Sequence, residues 1–476
     1  MKVLLIQQDM GIRETRYPLF PIGLSYIASV LKDHEVKIFD PNAYPLSDSP
    51  KALDNFMRTF LPDIVGLSIR NIDTTNFRYK HVHYKTVRPM IESIKNIKPH
   101  TRVMIGGPGF SLFARSIMED IKAVDFGFYL EGEDSTPELL KNIDTPEKVK
   151  GIFYRRADRV IYTGDRPMPD FAKVPWPSMD SNVINMRDYL GPSYNIIGIQ
   201  SKRGCVLQCG YCPYPSLNGR YHRLRSPEDI VNQIEYMVKT VGIKRFTFVD
   251  SVFNVPETHA RDILNEMIVR NIQVEFGVWC HMRGVNETFL RLLKQAGAVQ
   301  VDFAPDAATN KGLKALKKGL TEADIFKTVK AARKVKGLGY GFGFFAGLPG
   351  YNVIDTFKTW IMPFRIQLML PGKGGGAISY IRVEPGTHIH KIAIEDGLID
   401  ANDSLLPADE DDLARMFYRL PSQAHLNRAT DAFVALMERV LKPALVALVR
   451  IISKVRGKKS IYDQKTGFVP FQKTKK

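Results

Sequence analysis

Residues 204–213 read Gly204-Cys205-Val206-Leu207-Gln208-Cys209-Gly210-Tyr211-Cys212-Pro213. Three of the four cysteines of the chain fall in this stretch, at Cys205, Cys209 and Cys212. A Cys-x3-Cys-x2-Cys run is short enough for one loop to wrap a compact inorganic cluster. Iron–sulfur clusters are held by cysteine thiolates, so three cysteines leave one iron of a four-iron cluster without a protein ligand. The stretch therefore predicts an iron–sulfur centre whose open iron can bind a substrate.

A structural zinc site is the alternative for these cysteines. It would need a fourth ligand, for which Cys280 and His222 are the candidates. Structural zinc sites usually draw their cysteines from two separated pairs, whereas this motif is a single run. The pattern therefore favours the iron–sulfur centre over zinc.

Length and composition set the outer bounds. A chain of 476 residues predicts two or three domains, and 44% hydrophobic and 25% charged residues are ordinary for a soluble globular protein. Four cysteines argue against a disulfide framework and for a reducing, cytoplasmic compartment. The apolar run at the N-terminus turns polar at Gln7, which is unlike a signal peptide. No apolar stretch reaches the roughly 18–20 residues that span a bilayer.

The positive charge is unevenly distributed. The formal net charge is +17, and residues 439–476 hold eleven Lys and Arg against one acid, Asp463, which gives this tail +10. The rest of the chain is only mildly basic, so we expect no nucleic-acid partner.

The first 145 residues predict a doubly wound parallel sheet. Apolar runs at residues 3–6, 36–39, 63–68, 102–105 and 124–129 alternate with helical stretches. Ligands of such sheets bind beyond the carboxyl ends of the strands. Ser68 and Asn71, the Gly-rich turn 106–109 and the turn 131–133 follow three of these ends, and glycines there let backbone approach a bulky ligand.

Residues 146–190 read as a linker. A small hairpin is predicted from residues 151–154 and 160–162, and four prolines then interrupt regular structure, at Pro167, Pro169, Pro175 and Pro177.

Residues 191–400 predict a partial barrel. Strands are expected at residues 195–200, 245–249, 273–280, 298–303, 340–346 and 377–383. About six βα units of this kind indicate a TIM-like barrel with its site at the carboxyl ends of the strands. The cysteine loop, Asp250-Ser251, Asp306 and Gly347-Leu348-Pro349 all follow such ends.

Residues 401–476 predict a small, mostly helical domain, with helices at 409–420 and 429–440. In residues 443–456 an apolar face stands opposite Arg450 and Lys454; it is formed by Leu445, Leu448, Val449, Ile452 and Val455. Such a helix can lie on an anionic membrane surface or can dock on the barrel beside a solvated basic tail. Both interpretations stay open.

Because the cysteine loop follows the α/β half in the sequence, the chain resembles the cobalamin-dependent radical S-adenosylmethionine (SAM) enzymes over nearly all of residues 1–400. The matching marks are Pro-x-Gly-Leu at residues 21–24, the Gly106-Gly107 pair, the Glu131-Gly132-Glu133 turn and Tyr211 before the last cysteine. The resemblance implies an α/β chain with a Rossmann-like cobalamin-binding domain, a partial (β/α)6 radical SAM barrel and a helical C-terminal domain. It also implies three cofactors: SAM, cobalamin and a [4Fe-4S] cluster on the three cysteines.

The resemblance also assigns site residues. On the cobalamin side it implies Ser68, Asn71, Gly106, Gly107, Pro108, Glu131 and Gly132. On the SAM side it implies Tyr211, Asp250, Ser251, Asp306, Gly347, Leu348 and Pro349. Asp306 stands where the family usually has Gly-x-Glu, so the shorter acid and Pro305 are departures.

Catalytic candidates are Asp306 and Cys280. Cys280 ends a predicted strand as a candidate thiol or proton donor, although a free cysteine is most often a small buried hydrophobe. His281, His388 and His390 are candidate acid–base groups whose alternative is an ordinary loop histidine.

One motif of many cobalamin proteins is missing. The Asp-x-His-x-x-Gly sequence that supplies a lower-axial histidine is absent, because the chain around Asp9 reads Asp9-Met10-Gly11-Ile12-Arg13-Glu14. We therefore expect cobalt without a protein imidazole ligand.

The resemblance implies a C-methyltransferase that moves a methyl group from methylcobalamin to an unactivated carbon through a 5′-deoxyadenosyl radical. The alternative is a radical rearrangement or ring closure without net methyl transfer, and a remote one is a non-catalytic cobalamin sensor, against which the three cysteines argue. Expected partners are a small-molecule or lipid-like substrate and an external electron donor such as flavodoxin or ferredoxin. The basic tail is a candidate contact to the inner membrane face.

Overall fold

Two large sheets organise the part of the chain that this computed structural model describes, residues 1–13, 17–371, 373–437 and 439. The first sheet has seven strands, the second has six, and a two-stranded ribbon forms a third. The helix predicted at 443–456 and nearly all of the basic tail lie outside the described residues.

The first sheet is parallel over five strands and has the order β2-β1-β3-β4-β5-β6-β7. Its strands are β1 (Lys2–Gln7), β2 (Glu35–Phe39), β3 (Ile64–Ser68), β4 (Arg102–Gly106), β5 (Phe126–Phe128), β6 (Ile152–Arg156) and β7 (Arg159–Tyr162). Its helices are α1 (Ile22–Val30), α2 (Ser49–Phe60), α3 (Val87–Ile97), α4 (Pro108–Leu112), α5 (Ala114–Asp120) and α6 (Ser135–Lys141). The predicted doubly wound sheet is confirmed.

Apolar strands and amphipathic helices explain this layer structure. The central strands are almost entirely buried because helices cover both faces, as in other parallel sheets. In α3, for example, Val87, Met90, Ile91 and Ile94 recur at helical spacing and are all buried. The strand order reverses between β1 and β3, which is where open α/β sheets form their ligand crevice.

The predicted hairpin is confirmed, but it belongs to the first sheet. The strand β6 pairs antiparallel with β5, and β7 pairs antiparallel with β6. Phe153 and Tyr162 stack across this hairpin with ring centroids 4.6 Å apart. The proline-rich residues 163–185 that follow contain no helix or strand.

The second sheet is fully parallel, with its strands in the order β15-β14-β13-β12-β11-β8. The strands of this half are β8 (Gly198–Ile199), β9 (Lys202–Arg203), β10 (Arg223–Leu224), β11 (Arg245–Phe248), β12 (Glu275–Cys280), β13 (Ala298–Asp306), β14 (Gly339–Phe345) and β15 (Gly374–Ser379), of which β9 and β10 form the ribbon. Six parallel strands in chain order, joined by helices, form the predicted partial barrel.

Ten helices of the described chain follow the cysteine loop. They are α7 (Tyr214–Asn218), α8 (Pro227–Tyr236), α9 (Glu257–Val269), α10 (Glu287–Gln295), α11 (Asn310–Ala315), α12 (Glu322–Lys334), α13 (Val353–Met369), α14 (His388–Glu395), α15 (Glu410–Arg415) and α16 (Ala424–Leu436). None of these or of the preceding helices in the described ranges has both the length and the apolar character needed to cross a bilayer.

Three predicted boundaries are wrong. The last barrel strand was expected at 377–383 but begins at Gly374, because three glycines without side chains still pair with β14. The helix expected at 409–420 ends at Arg415, since Phe417 forms an antiparallel bridge with Arg382. The helix expected at 429–440 begins at Ala424, and its predicted end at residue 440 is not among the described residues.

Candidate active site

A cavity of about 360 Å³ lies between the carboxyl ends of the two large sheets. Its first-domain wall comes from the segment after β3 and from the start of α4. Its second-domain wall comes from the cysteine loop and from the ends of β14 and β15. The lining includes Arg70, Asn71, Pro108, Gly109, Tyr211, Cys212, Tyr214, Phe345, Tyr380 and Glu384. The carboxyl ends of both sheets, where ligands were predicted to bind, therefore face the same cavity.

Backbone hydrogen bonds fix the cysteine loop. Cys205 N donates to Gly219 O at 3.0 Å, and Gly210 N donates to Leu316 O at 2.8 Å. Gly204 has φ +89°, and a Cβ there would lie 1.9 Å from the carbonyl oxygen of Tyr221. Only glycine fits this approach, so the residue before Cys205 sets the path by which the loop leaves β9.

The three cysteines fit an iron–sulfur cluster. All are free, and Cys205 is buried. Burial raises the pKa of Cys205, and burial together with the neighbouring Cys209 and Cys205 raises the pKa of Cys212 to about 12. The backbone amide of Cys212 donates to Cys209 O at 3.1 Å, so a turn brings the last two cysteines of the motif close together. Thiolates are the ligands that such clusters use, each on its own iron, so the donor set suits a four-iron cluster with one open position.

The two fourth ligands considered for zinc lie near the cysteine loop, because the charge of Lys202 acts to lower the pKa of Cys280, of His222 and of Cys205 alike. His222 also forms a hydrogen bond with the backbone of Gly204, and burial lowers its pKa. Within the described ranges, no group of three or more His, Cys, Asp or Glu side chains is arranged to hold a metal ion. This finding includes the three cysteines of the loop, so the preference for an iron–sulfur cluster over a single zinc ion rests on their spacing in the sequence.

Tyr211, Asp306 and Lys318 form a buried group beside the cysteine loop. Asp306 Oδ2 accepts hydrogen bonds from the hydroxyl of Tyr211 and, at 2.7 Å, from Lys318 Nζ. Burial lowers the pKa of Lys318, but the neighbouring Asp306 and Cys209 raise it by more, so the net shift is upward. Lys318 therefore keeps its positive charge beside Cys209. Asp306 has φ +63°, so its backbone is held in a strained region. Its expected contact to SAM stays a prediction.

Asp250 was expected to contact SAM, but the structure gives it a closed set of partners. Its side chain is fully buried, and Oδ1 accepts from the backbone amides of Ser201 at 2.8 Å and Lys202 at 3.2 Å. Oδ2 accepts from Lys202 Nζ at 3.1 Å and from the Ser201 hydroxyl. Asp250 thus ties the end of β11 to the segment leading into the cysteine loop, and its expected contact to SAM stays a prediction. Ser251 beside it is half-buried.

Cys280 is part of the hydrophobic core, and its catalytic role stays a prediction. It is buried, and this burial raises the pKa of the thiol, so it lacks the exposure and thiolate character of a reactive cysteine. His281 is also buried, with Nε2 3.3 Å from Lys318 O. His388 packs beside Gly210, and His390 Nδ1 accepts from the Gly386 amide at 3.2 Å.

Glu131 joins the two domains, and its expected contact to cobalamin stays a prediction. It pairs with Arg203 Nη1 at 2.7 Å and with Arg223, and Arg203 Nη2 pairs with Glu133 at 2.6 Å. We call these four side chains the interdomain clamp. All are at least nine-tenths buried, and Arg203 lies 4.5 Å from the ring centroid of Phe171. Because Arg203 precedes the cysteine loop by one residue, the clamp fixes the loop to the first domain.

The Gly-rich turn after β4 also has a packing role. Gly107 has φ +97°, and a Cβ there would lie 2.5 Å from the carbonyl oxygen of Ile69 and 3.0 Å from Ser68 Oγ. Glycine at 107 thus brings the ends of β3 and β4 together, with Gly106 ending β4. Pro108 then begins α4 in the cavity wall, with Asn71 also lining it. The glycines leave this edge of the sheet without bulky side chains. Open α/β sheets bind ligands at this edge, so the turn fits a bulky cofactor.

The remaining predicted SAM contacts lie in the turn after β14. Gly347 has φ +64° and faces Tyr380, while Leu348 is fully buried in the core. Leu348 therefore supports the turn through packing, and a contact of this turn with SAM stays a prediction. Gly132 is tightly packed, since a Cβ there would lie 3.1 Å from Ile27.

Sequence reasoning missed the basic partners of these acids. Lys202, Arg203, Arg223 and Lys318 are all buried, and each pairs with an acid that the sequence had assigned to a ligand. Lys202 and Arg203 stand directly before the cysteine loop, and that position is the one sequence signal that would have singled them out.

We predict that bound cob(II)alamin will show no nitrogen superhyperfine splitting from a protein histidine in its electron paramagnetic resonance spectrum. No described residue lining the cavity is a histidine. His81 and His83 lie 3.0 and 2.7 Å from the Met10 carbonyl oxygen, and His34 and His100 precede the amino ends of β2 and β4. A splitting that disappears when one of these four is replaced by alanine would contradict the prediction.

Comparison with known proteins identifies both domains. The B12 binding domain model matches residues 10–140, and the radical SAM superfamily model matches residues 199–359. The first range contains β2 to β5 of the first sheet and nearly all of α6, and the second contains the cysteine loop and most of the barrel.

Two curated relatives resemble much of the chain. The uncharacterized methyltransferase PH0819 of Pyrococcus horikoshii is 27% identical over 319 residues, which is 66% of each chain. The anaerobic magnesium-protoporphyrin IX monomethyl ester cyclase of Synechocystis sp. is 24% identical over 377 residues, or 76% of this chain and 69% of that protein. The chain thus spans about two thirds of the length of each.

A solved structure agrees over both domains. It is the radical SAM methyltransferase TsrM from Kitasatospora setae with cobalamin and a [4Fe-4S] cluster bound, at 21% identity and a TM-score of 0.72 over 87% of this chain and 84% of that one. At this identity the likeness shows the fold. Together with the two matched domain models, it leads to one conclusion: the chain carries a B12 binding domain ahead of a radical SAM domain.

Proposed function

We propose that this protein is a cobalamin-dependent radical SAM C-methyltransferase acting on an unactivated carbon. The observation that carries the proposal is the single cavity lined both by Cys212 of the cysteine loop and by Pro108 and Gly109 of the B12 binding domain. A substrate in this cavity would meet both cofactors without leaving the site, as methyl transfer requires.

Each cofactor has residues that would hold it. Cys205, Cys209 and Cys212 would bind the cluster, with the charged Lys318 beside Cys209. The loops after β3 and β4 would bind cobalamin at the edge of the first sheet. Bound there, the cluster would supply the electron for reductive cleavage of SAM, and cobalamin would supply a methyl-carrying cobalt. An external donor such as flavodoxin or ferredoxin would reduce the cluster.

The cavity walls suit a reaction that must exclude water. Aromatic and aliphatic side chains from both domains contribute, among them Leu112, Phe113 and Phe345. Apolar walls protect a reactive intermediate from side reactions. The substrate is proposed to be a small molecule or a lipid-like compound that presents an apolar carbon to these walls.

A ring closure without net methyl transfer is the second candidate, and the similarity to the magnesium-protoporphyrin IX monomethyl ester cyclase favours it. The similarity to PH0819, which is a methyltransferase by name, and to TsrM favours methyl transfer. Turnover with SAM labelled in its methyl group separates the two, because only methylation leaves the label in the product.

A further inference from the structure

The helix α13 exposes an unusual amount of apolar surface. Val353, Ile354, Phe357 and Leu368 are 62%, 66%, 56% and 82% exposed, and we call these four side chains the α13 face. The opposite side of the helix is buried through Met362, Pro363 and Ile366, among others. Single exposed apolar residues are normal on a protein surface, but several on one helix mark an interaction site.

The helix α16 holds α13 firmly from one side. Trp360 stacks on Phe433 at a centroid distance of 5.1 Å, and its indole N–H donates to Thr430 Oγ1 at 3.1 Å. Phe364 contacts Phe433 edge-on at 6.0 Å. Since Trp360 meets Thr430 while Phe364 meets Phe433, the two helices run in the same direction. Their carboxyl ends therefore lie on the same side, where Leu368 and the 49% exposed Leu436 are found.

The exposed charged side chains of α13 and α16 are positive. Lys358 and Arg365 of α13 and Arg428 of α16 are exposed. The two acids within the bounds of these helices are both engaged, because Asp355 caps α13 and lies 3.4 Å from Lys311, and Asp431 pairs with Arg419 at 2.6 Å. The surface thus combines exposed apolar side chains with cations, and the two acids of these helices are already engaged with other partners.

We propose that the α13 face, flanked by Lys358, Arg365 and Arg428, docks on an anionic lipid bilayer. Apolar side chains that enter the headgroup region, together with cations that meet anionic headgroups, are the pattern of interfacial membrane binding. The chain leaves α16 on the side of Leu368 and Leu436 and continues into residues 439–476, which carry a net charge of +10. The positive charge of this sequence favours an anionic lipid bilayer over a second copy of this basic protein.

Full-length protein and vesicles test the proposal without reference to the reaction. Co-sedimentation is measured with vesicles of phosphatidylglycerol and phosphatidylcholine and with vesicles of phosphatidylcholine alone. We expect binding to the anionic vesicles only, weakened by added salt. The double substitution Ile354→Glu and Phe357→Glu should weaken it by about ten-fold or more, because it removes apolar contacts and adds repulsion.

Val269→Glu is the matched control. Val269 ends α9 and is 79% exposed, so its substitution places one carboxylate, half of the charge added by the double variant, on an open site away from α13. This variant should bind like the wild type, and all three proteins should melt at similar temperatures.

Three results would overturn the proposal. The first is that the wild-type protein fails to bind anionic vesicles, and the second is that the double variant binds them as well as the wild type does. The third is that light scattering shows a dimer of the wild-type protein and a monomer of the double variant. The last result would assign the α13 face to a second copy of the chain.

Discussion

Replacement of Cys205, Cys209 or Cys212 by alanine is expected to abolish both the iron–sulfur cluster and the formation of 5′-deoxyadenosine from SAM. Three cysteines are the fewest that hold a four-iron cluster with one open iron, so losing any one exposes a second iron. The measurement is iron content after anaerobic reconstitution, with about four irons expected per wild-type chain, together with chromatographic detection of 5′-deoxyadenosine.

Cys280→Ala provides the control for this series. Cys280 is the fourth cysteine, it is buried in the core, and it lies outside the Cys-x3-Cys-x2-Cys run. The variant should keep full iron content. Zinc in place of iron in the wild-type protein, without the charge-transfer absorption of an iron–sulfur cluster, would contradict the interpretation of the loop.

The substitution Arg203→Met is expected to destabilise the protein by about 3–5 kcal/mol, because it removes one charge of a buried ion-paired group. Glu133, which is 6% exposed, would lose the guanidinium 2.6 Å away, and Glu131 would keep only Arg223. The free energy of unfolding is measured by denaturant titration. The cysteine loop begins next to this residue, so the variant should also lose iron faster on dilution.

Arg245→Met is the matched control for the clamp. Arg245 pairs with Glu275 at 2.5 Å, but both side chains are about half exposed. Exposed pairs contribute roughly 0–1 kcal/mol, so this variant should be nearly as stable as the wild type. Equal, small losses for both arginines would show that the clamp does not hold the domains together.

The sequence predicted the strands and the cysteine loop well because these signals are local. Apolar runs, the prolines and glycines between them and the spacing of three cysteines are readable within a few residues of one another. The start of the Gly374–Ser379 strand was missed because its first three residues are glycines, and their pairing with β14 comes from tertiary context.

The partners of the acids were less predictable, because they depend on distant segments. Asp250 meets Lys202 across 48 positions, and Glu131 meets Arg223 across 92. The family resemblance assigned both acids to ligands, whereas the fold supplies a buried cation to each. A buried carboxylate needs a partner, but a single sequence does not say whether that partner is a cofactor or a lysine or arginine from another strand.

The most direct test of the proposed methyl transfer is turnover with SAM that carries a deuterated methyl group. Reconstituted full-length protein is incubated anaerobically with this SAM, cobalamin, a reductant and cell extract, and new products are sought by mass spectrometry. The Cys209→Ala variant serves as the blank. We expect a product that carries the deuterated methyl group and that accumulates together with 5′-deoxyadenosine in the wild-type reaction alone. A new product without deuterium, formed together with 5′-deoxyadenosine, would contradict methyl transfer and would assign the protein to ring closure or rearrangement.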